Sequence, residues 1–337
     1  MTKTRIAFFE VTPKEKSYLR KKLDKSFDLD FFTNPLNESN AGKLISGVNI
    51  ISPFIYSQLN SKVISYAKKL KLIATRSTGF NHIDIDASKK KKISVANVPY
   101  YGENTVAEHT FALILALSRN LHKAYVRTIH SDFSLDGLRG FDLRGKTLGV
   151  IGAGSIGVHV IKIAKGFGMK IIAYDVKPNH MLTELLDFTY VSLDELLSRS
   201  DIITLHCPYN SNTHHLINMN NIKKVKKGTL FINTARSGLI EPKALYYAIE
   251  RGIFGGAGLD VFEGEELVKE ENQMLTKNVS VEHLEPILKR NILLKRENVI
   301  ITPHMAFDSV EAIERILDTT IDNIKCFLEG KNYHKVI

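Results

Sequence analysis

Gly152-Ala153-Gly154-Ser155-Ile156-Gly157 follows the apolar run Leu148 to Ile151 directly and opens the helix-like stretch Ile156 to Phe167. Three glycines in a turn say only that the backbone is crowded. Set between a strand and a helix they read as a dinucleotide-binding fingerprint. Gly152 permits the tight turn, Gly154 lets the backbone approach a pyrophosphate, and Gly157 lets the helix pack onto the strand. The helix N-terminus adds partial positive charge. The next strand, Lys170 to Tyr174, ends at Asp175, whose carboxylate would accept from the adenosine ribose hydroxyls and repel a 2′-phosphate; the pattern therefore implies NAD rather than NADP.

Around this motif the chain alternates short β-branched or aromatic runs with helix-like stretches, the rhythm of parallel α/β sheets. A first series comprises Ile6 to Phe9, Phe27 to Phe32, Val48 to Ser52, Leu72 to Thr75 and Ser94 to Ala96. The pattern Thr105-Val106-Ala107-Glu108 resembles a capping box ahead of the apolar stretch Phe111 to Leu117, which predicts a long, mostly buried helix leading from one domain to the next. The second series runs through Leu148 to Ile151, Lys170 to Tyr174, Asp201 to His206, Gly228 to Asn233, Gly256 to Val261 and Val299 to Thr302, six strands that fit a dinucleotide-binding sheet. A last helical pattern, Val310 to Phe327, places Ile313, Ile316, Leu317, Ile321 and Ile324 on one face. It is too short to fold alone and is expected to pack back on the first domain.

The length of 337 residues accommodates two such domains, and 44% hydrophobic content supports real cores. No stretch approaches the roughly 20 apolar residues of a membrane span. The N-terminus runs from Met1 into the strand-like Ile6 to Phe9 with no secretory pattern. Cys207 and Cys326 match no metal spacing, so no metal is expected and a reducing cytoplasm is the simplest compartment. The formal charge of +10 comes mostly from lysines, grouped at Lys68-Lys69, Lys89 to Lys92, Lys223-Lys224 and Lys226-Lys227. These fall at helix ends and turns with no interleaved aromatics, which favours a solvated surface over a nucleic-acid partner.

Ligands of open parallel sheets bind beyond the carboxyl ends of the strands. Arg236, in Asn233-Thr234-Ala235-Arg236-Ser237-Gly238, lies there, as do Asp260 and His304; Glu265 follows shortly after Asp260. Singly, these are a surface ion pair, a loop charge and a turn histidine. Together at the strand ends of a nucleotide-binding sheet, they supply a cation for a carboxylate, an imidazole to donate a proton, and a carboxylate beside it.

The segments Arg76-Ser77-Thr78-Gly79-Phe80-Asn81-His82-Ile83-Asp84, Asn97-Val98-Pro99-Tyr100-Tyr101, Val106-Ala107-Glu108-His109-Thr110, the glycine motif with Asp175, Leu205-His206-Cys207-Pro208, Asn233-Thr234-Ala235-Arg236, Gly258-Leu259-Asp260-Val261-Phe262-Glu263-Gly264-Glu265 and Thr302-Pro303-His304 span nearly the whole chain. In this order and spacing the chain resembles the D-isomer-specific 2-hydroxyacid dehydrogenases, and among them the D-lactate dehydrogenases. The resemblance implies two Rossmann-like domains with parallel sheets. One is a discontinuous, flavodoxin-like substrate domain from 1–102 and 302–337; the other is an NAD-binding domain from 103–301. It further implies a homodimer associating through the NAD-binding domain.

Carried over residue by residue, the resemblance makes Arg236 the substrate anchor, His304 the proton donor and Glu265 its carboxylate partner, favouring the imidazolium. Cofactor contacts would come from Gly152, Gly154, Ser155, Ile156, Gly157, Asp175, His206, Cys207, Pro208, Thr213, Thr234, Ala235, Arg236 and Asp260. Thr78 and Gly79 would hold the substrate carboxylate, with Tyr101 and Phe307 also at the substrate. Gly102-Glu103 stands where lactate enzymes often carry Ser-Pro, which alters a loop and no catalytic group. The long segment Glu266 to Arg296 and the apolar Pro53-Phe54-Ile55-Tyr56, with Tyr101 and Phe307, favour pyruvate or another small 2-keto acid over a phosphorylated one. Hydroxyisocaproate, glyoxylate/hydroxypyruvate and phosphoglycerate types are the alternatives within the family. A corepressor-like NAD-sensing interaction module of the C-terminal binding protein type is the alternative outside catalysis, weakened by the lack of long disordered extensions.

Overall fold

The computed structural model describes residues 3–262 and 292–337. The chain divides into two units, Met1–Gly102 with Ser309–Ile337, and Glu103–Asp308.

In the first unit, β1 (Arg5–Phe8), β2 (Asp28–Phe31), β3 (Ile50–Ser52), β4 (Leu72–Ala74) and β5 (Ser94–Ala96) form one sheet of order β2-β1-β3-β4-β5, with every pair parallel. Alternation along β1 sends Ile6 and Phe8 into one apolar cluster and Ala7, with Phe9 just beyond it, into another, so both faces are covered. Helix α1 (Pro13–Lys22) starts with a full capping box: Thr12 Oγ1 accepts from Glu15 N–H at 3.3 Å, and Glu15 Oε2 accepts from Thr12 N–H at 2.7 Å.

The C-terminal helix Val310–Leu328 closes one face of this sheet with Leu317, Ile321 and Ile324, all fully or nearly buried against Ile6, Phe8, Ile50 and Leu72. Each such side chain stabilises the fold by about 1.5–3 kcal/mol. The tail beyond the helix then runs antiparallel to β5, with Val336 N–H donating to Val95 O at 2.7 Å and Asn97 N–H to His334 O at 3.2 Å. The sheet edge is thereby paired.

The second unit opens with α5 (Glu103–Ser118), the fifth helix of the chain, which starts three residues before the first position a Thr105 cap would give. Thr105 is consequently a buried residue within the helix and not its cap. The sheet of this unit has the order β12-β11-β10-β9-β6-β7-β8, all parallel, with β6 (Thr147–Ile151), β7 (Lys170–Tyr174), β8 (Thr189–Tyr190), β9 (Ile202–Leu205), β10 (Thr229–Asn233), β11 (Phe254–Leu259) and β12 (Val299–Ile301). Among the described residues seven strands are present where the sequence suggested six. The additional one, β8, is a two-residue edge strand, too short for periodicity to reveal.

Strand β6 has β7 on one side and β9 on the other, so the chain reverses its winding at the β6–β9 pair. A crevice at such a reversal is where ligands bind in this class of sheet. Residues 302–308 group with this unit, whereas the sequence reading began the returning segment of the first domain at 302. Hydrogen bonds from Thr302, Met305 and Ala306 to the Asp260 carboxylate explain the difference.

Candidate functional site

The glycine loop joins β6 to α7 (Ser155–Gly166) at the reversal. Gly152 has φ +95°, and a Cβ there would lie 2.6 Å from the Cys207 nitrogen, so the adjoining end of β9 demands a glycine. At Gly157 a Cβ would lie 2.1 Å from Gly152 O, which fixes the helix against its own loop. Gly154 differs. It is exposed and a Cβ would meet nothing within 4 Å, so the fold itself leaves this position open. Open space above a helix N-terminus with no side-chain cap fits a phosphate group approaching the backbone.

Asp175, half-buried at the end of β7, contributes to that loop. Its Oδ2 accepts from Ala153 N–H and its Oδ1 from Lys177 N–H, both at 2.9 Å. An ionised carboxylate offers about four acceptor positions, so capacity remains for ribose hydroxyls. Across the reversal, His206 N–H donates to Ile151 O at 2.7 Å, binding the ends of β9 and β6 together. Burial pushes the His206 imidazole down to about 3, and its Nε2 sits 2.9 Å from Thr204 Oγ1; this ring is neutral. Burial also pushes the Cys207 thiol up to about 11, with the Asp175 charge adding to the effect against a backbone hydrogen bond. Cys207 is thus a neutral thiol. The Thr213 hydroxyl donates to Pro208 O at 2.7 Å and accepts from Asn210 N–H at 2.8 Å, fixing the turn after β9. Ser155 and Pro208 are exposed and Ile156 half-buried.

Beyond β10, Asn233 shapes the turn that carries Arg236. Its Oδ1 accepts from Ala235 N–H at 3.0 Å and its Nδ2 donates to Arg236 O at 2.9 Å. Thr234 is buried against α5, its hydroxyl 3.0 Å from Thr110 Oγ1. Arg236 itself is exposed, with Nη1 donating to Ala235 O at 2.7 Å. No carboxylate among the described residues pairs with it.

His304 follows β12 with φ +54°, a left-handed backbone that a residue with a Cβ adopts at a cost of about 1–3 kcal/mol unless its surroundings impose it. Here they do. The fully buried Asp260 carboxylate accepts from Thr302 Oγ1 on one side of His304, and from Met305 N–H at 2.9 Å and Ala306 N–H at 2.8 Å on the other. His109 Nε2 lies 3.5 Å from Asp260 Oδ1 and 3.2 Å from Thr302 Oγ1. Thr302 has one hydroxyl proton and gives it to Asp260, so the network assigns the His109 proton to Nε2. Burial works to raise the Asp260 carboxyl, but the hydrogen bonds from His109, Thr302, Ala306 and Met305 outweigh it and hold the group below the usual carboxylate range. Phe307 packs edge-on to the His304 ring at 6.4 Å between centroids.

With this geometry in place, the sequence profile described as D-isomer specific 2-hydroxyacid dehydrogenase, NAD binding domain, matches residues 111–306, more than half of the chain. The chain belongs to the D-isomer-specific 2-hydroxyacid dehydrogenase family. It is 36% identical over 330 residues to the D-lactate dehydrogenase of Escherichia coli, covering 97% of this chain and 98% of that protein. Among solved structures, a pyruvate reductase of Chlamydomonas reinhardtii superposes with a TM-score of 0.88 at 39% identity, covering 98% of both chains. A D-lactate dehydrogenase of Aquifex aeolicus, solved with NAD and lactic acid, superposes with a TM-score of 0.84 at 40% identity, covering 96% of both chains.

This dehydrogenase is an oxidoreductase whose cofactor is NAD, and the open Gly154 position, the uncapped α7 and the Asp175 carboxylate fit that cofactor. Within the second unit the fold gathers the glycine loop, Asp175 and the segment from His206 to Pro208 around the reversal, and joins the turns of Arg236 and His304 through Asn233 and Asp260. The Asp260 side chain, read from sequence as a cofactor contact, is fully buried and occupied by the His304 turn. Glu265 lies outside the described residues. Thr78, Gly79 and Tyr101 belong to the first unit of the dehydrogenase. There the Thr78 hydroxyl donates to Val98 O at 2.7 Å, Asn97 Nδ2 to Thr78 O at 2.8 Å and Ser77 Oγ to Gly79 O at 2.7 Å, while Tyr101 O accepts from Arg315 Nε. His109 received no role from sequence. Its signal was a lone imidazole beside Glu108 on a long helix, which by itself names no partner.

Proposed function

We propose that the enzyme is an NAD-dependent D-lactate dehydrogenase, interconverting pyruvate, or a related small 2-keto acid, with the D-2-hydroxy acid. The observation that carries this reading is the clamped, left-handed turn at His304 on the same sheet edge as the exposed Arg236. Strain held at a site by so many bonds is a mark of function. In this reading Arg236 pairs with the substrate carboxylate and orients the ketone, helped by backbone groups of Thr78 and Gly79. Bound NADH supplies the hydride. His304 donates a proton to the ketone oxygen as it becomes the alcohol and withdraws it in the reverse direction, with Glu265 beside it favouring the charged ring. Asp175 receives the adenosine ribose, the α7 N-terminus the pyrophosphate, and Ser155, Ile156, His206, Cys207, Pro208, Thr213, Thr234 and Ala235 complete the cofactor contacts.

Within the first unit, the substrate side chain would meet Tyr101 and the Pro53–Tyr56 loop, which leaves the carboxyl end of β3. An apolar aromatic wall suits a methyl group better than a phosphate.

We also propose a homodimer formed through the second unit. It is supported by α6 (Leu121–Ile129) and the segment after it, where Leu121, Tyr125, Val126, Ile129, Phe133 and Leu135 are all exposed. A patch of that kind is costly to leave in water. The free thiols Cys207 and Cys326 agree with a cytoplasmic setting, and no described helix is long and apolar enough to cross a membrane.

The deciding experiment is a panel of pyruvate, 2-ketobutyrate, phenylpyruvate, hydroxypyruvate and 3-phosphohydroxypyruvate with NADH, with the product enantiomer resolved by chiral chromatography. Highest kcat/KM with pyruvate and a D product support the proposal. Preference for the phosphorylated acid overturns it in favour of the phosphoglycerate type, and no turnover with any member favours the interaction module.

A further inference from the structure

Glu10 lies just beyond β1 with a left-handed backbone, φ +57°, and its carboxylate takes up the backbone of the Pro53–Tyr56 loop. Oε2 accepts from Phe54 N–H at 3.0 Å, Ser57 N–H at 3.1 Å and the Ser57 hydroxyl at 2.6 Å; Oε1 accepts from Tyr56 N–H at 2.8 Å. Four donors converge on one side chain. An ionised carboxylate can accept at both oxygens, which no neutral side chain of this size does. The buried Ser57 hydroxyl in turn accepts from Leu36 N–H at 2.9 Å.

Arg76 fastens the same loop from the other side. It is 1% exposed, and its Nη2 donates to Phe9 O and, at 3.2 Å, to Glu10 O. Its backbone N–H donates to Pro53 O at 3.0 Å, and its guanidinium lies 5.5 Å from the Phe54 ring centroid. Burial lowers the Arg76 guanidinium, opposed in part by Glu15, whose Oε1 lies 3.9 Å from Nη1, and by the Glu10 charge. Immediately after Arg76 come Ser77, Thr78 and Gly79.

We infer that Glu10 is a positioning residue for substrate selection: it sets where Phe54 and Tyr56 stand relative to Thr78 and Gly79, with Arg76 as the post common to both segments. The inference rests on the proposed function, in which Thr78 and Gly79 hold the substrate carboxylate and the loop meets its side chain. The size of 2-keto acid accepted then depends on a residue that touches no substrate.

Glu10→Gln tests this, because the amide presents one acceptor oxygen and one NH2. Whichever way it lies, an NH2 faces Tyr56 N–H or the three donors at Oε2, and two opposed donors push the loop away. The readouts are kcat/KM for pyruvate, 2-ketobutyrate and phenylpyruvate, the Kd for NADH, and amide hydrogen exchange in residues 53–57. The phenylpyruvate-to-pyruvate ratio of kcat/KM should change by about fivefold or more while NADH affinity stays within about twofold, since alkyl and aryl discrimination is set by the wall. Exchange at Phe54 and Tyr56 should speed up. A purely structural role would lower all substrates alike through a smaller active fraction. An unchanged ratio, or unchanged exchange, in the folded variant overturns the inference. Should Glu10→Gln fail to fold, Ser57→Ala removes a single bond to Glu10 and is judged by the same two readouts. Exchange measures the Glu10 role whether or not pyruvate is the substrate, so wild type that reduces no 2-keto acid counts against the proposed function alone.

Discussion

Asp260 N–H donates to Asn233 O at 2.9 Å, and through that bond the turn carrying Arg236 is tied to the turn carrying His304. Asn233 shapes the first turn with its side chain, and Asp260 clamps the second with its carboxylate. The substrate anchor and the proton donor of the proposed mechanism are therefore placed by one continuous network.

Asp260→Asn keeps the shape of this network and removes its charge. The amide retains one acceptor oxygen and turns a donor toward Thr302 and Met305 or toward Ala306, so the His304 turn should loosen. Hydrogen bonds to a charged group contribute about 1.5–3 kcal/mol each, so a fall in kcat of roughly 10- to 100-fold is expected. Steady-state kinetics with pyruvate, beside NADH binding by fluorescence, check this. A kcat near wild type would mean that the His304 turn holds its shape without Asp260.

Mild acid should weaken the first unit through His82. Burial pushes His82 down to about 4, so the native ring stays neutral where an unfolded one takes up a proton. The folded value is depressed, so stability is complete above the unfolded value of about 6.5 and declines as pH falls from there toward 4. The loss from His82 is on the order of 3 kcal/mol at the acid end. His206, pushed down to about 3, adds a loss of the same sign in the second unit. His82→Gln should show a flatter dependence of Tm on pH between 7 and 4.5 than wild type. Parallel curves would assign the acid sensitivity to other groups.

The strands legible in the sequence were those with a regular apolar period, as in β1, where Ile6 and Phe8 face one cluster and Ala7 the other. Strand β8 was not, because two edge residues carry no period. Residues at strand ends were legible as site candidates because topology places them there. Their tasks were less so: the Asp260 carboxylate, read as a cofactor contact, also clamps the His304 turn, and an acidic residue at a strand end reads alike in either role. Glu10 and His109 were invisible for a related reason. Their partners, Phe54 to Ser57 for one and Thr302 for the other, are 44 to 47 and 193 residues away.

Arg236→Lys should raise KM for pyruvate by about tenfold or more and also lower kcat, because an ammonium cannot hold a carboxylate with two parallel hydrogen bonds. Among the described residues no carboxylate pairs with Arg236, and Tm should stay near that of wild type. Unaltered KM and kcat would place the anchor elsewhere.

Asp175 joins two functions that substitution can separate. Its charge would repel a 2′-phosphate, and its two oxygens hold Ala153 N–H in the glycine loop and Lys177 N–H beyond it. Asp175→Asn keeps one acceptor oxygen and loses the charge; Asp175→Ala loses both. If the charge sets cofactor choice, the NADH-to-NADPH ratio of kcat/KM should fall about tenfold or more in either variant, equivalent to about 1.4 kcal/mol. If the loop bond also matters, absolute kcat/KM with NADH should fall further in Asp175→Ala than in Asp175→Asn, because only alanine leaves the Ala153 amide without an acceptor from residue 175. Equal losses in both variants would reduce Asp175 to a charge. A ratio that stays at the wild-type value in both would remove it from cofactor discrimination and leave it as an anchor of the glycine loop.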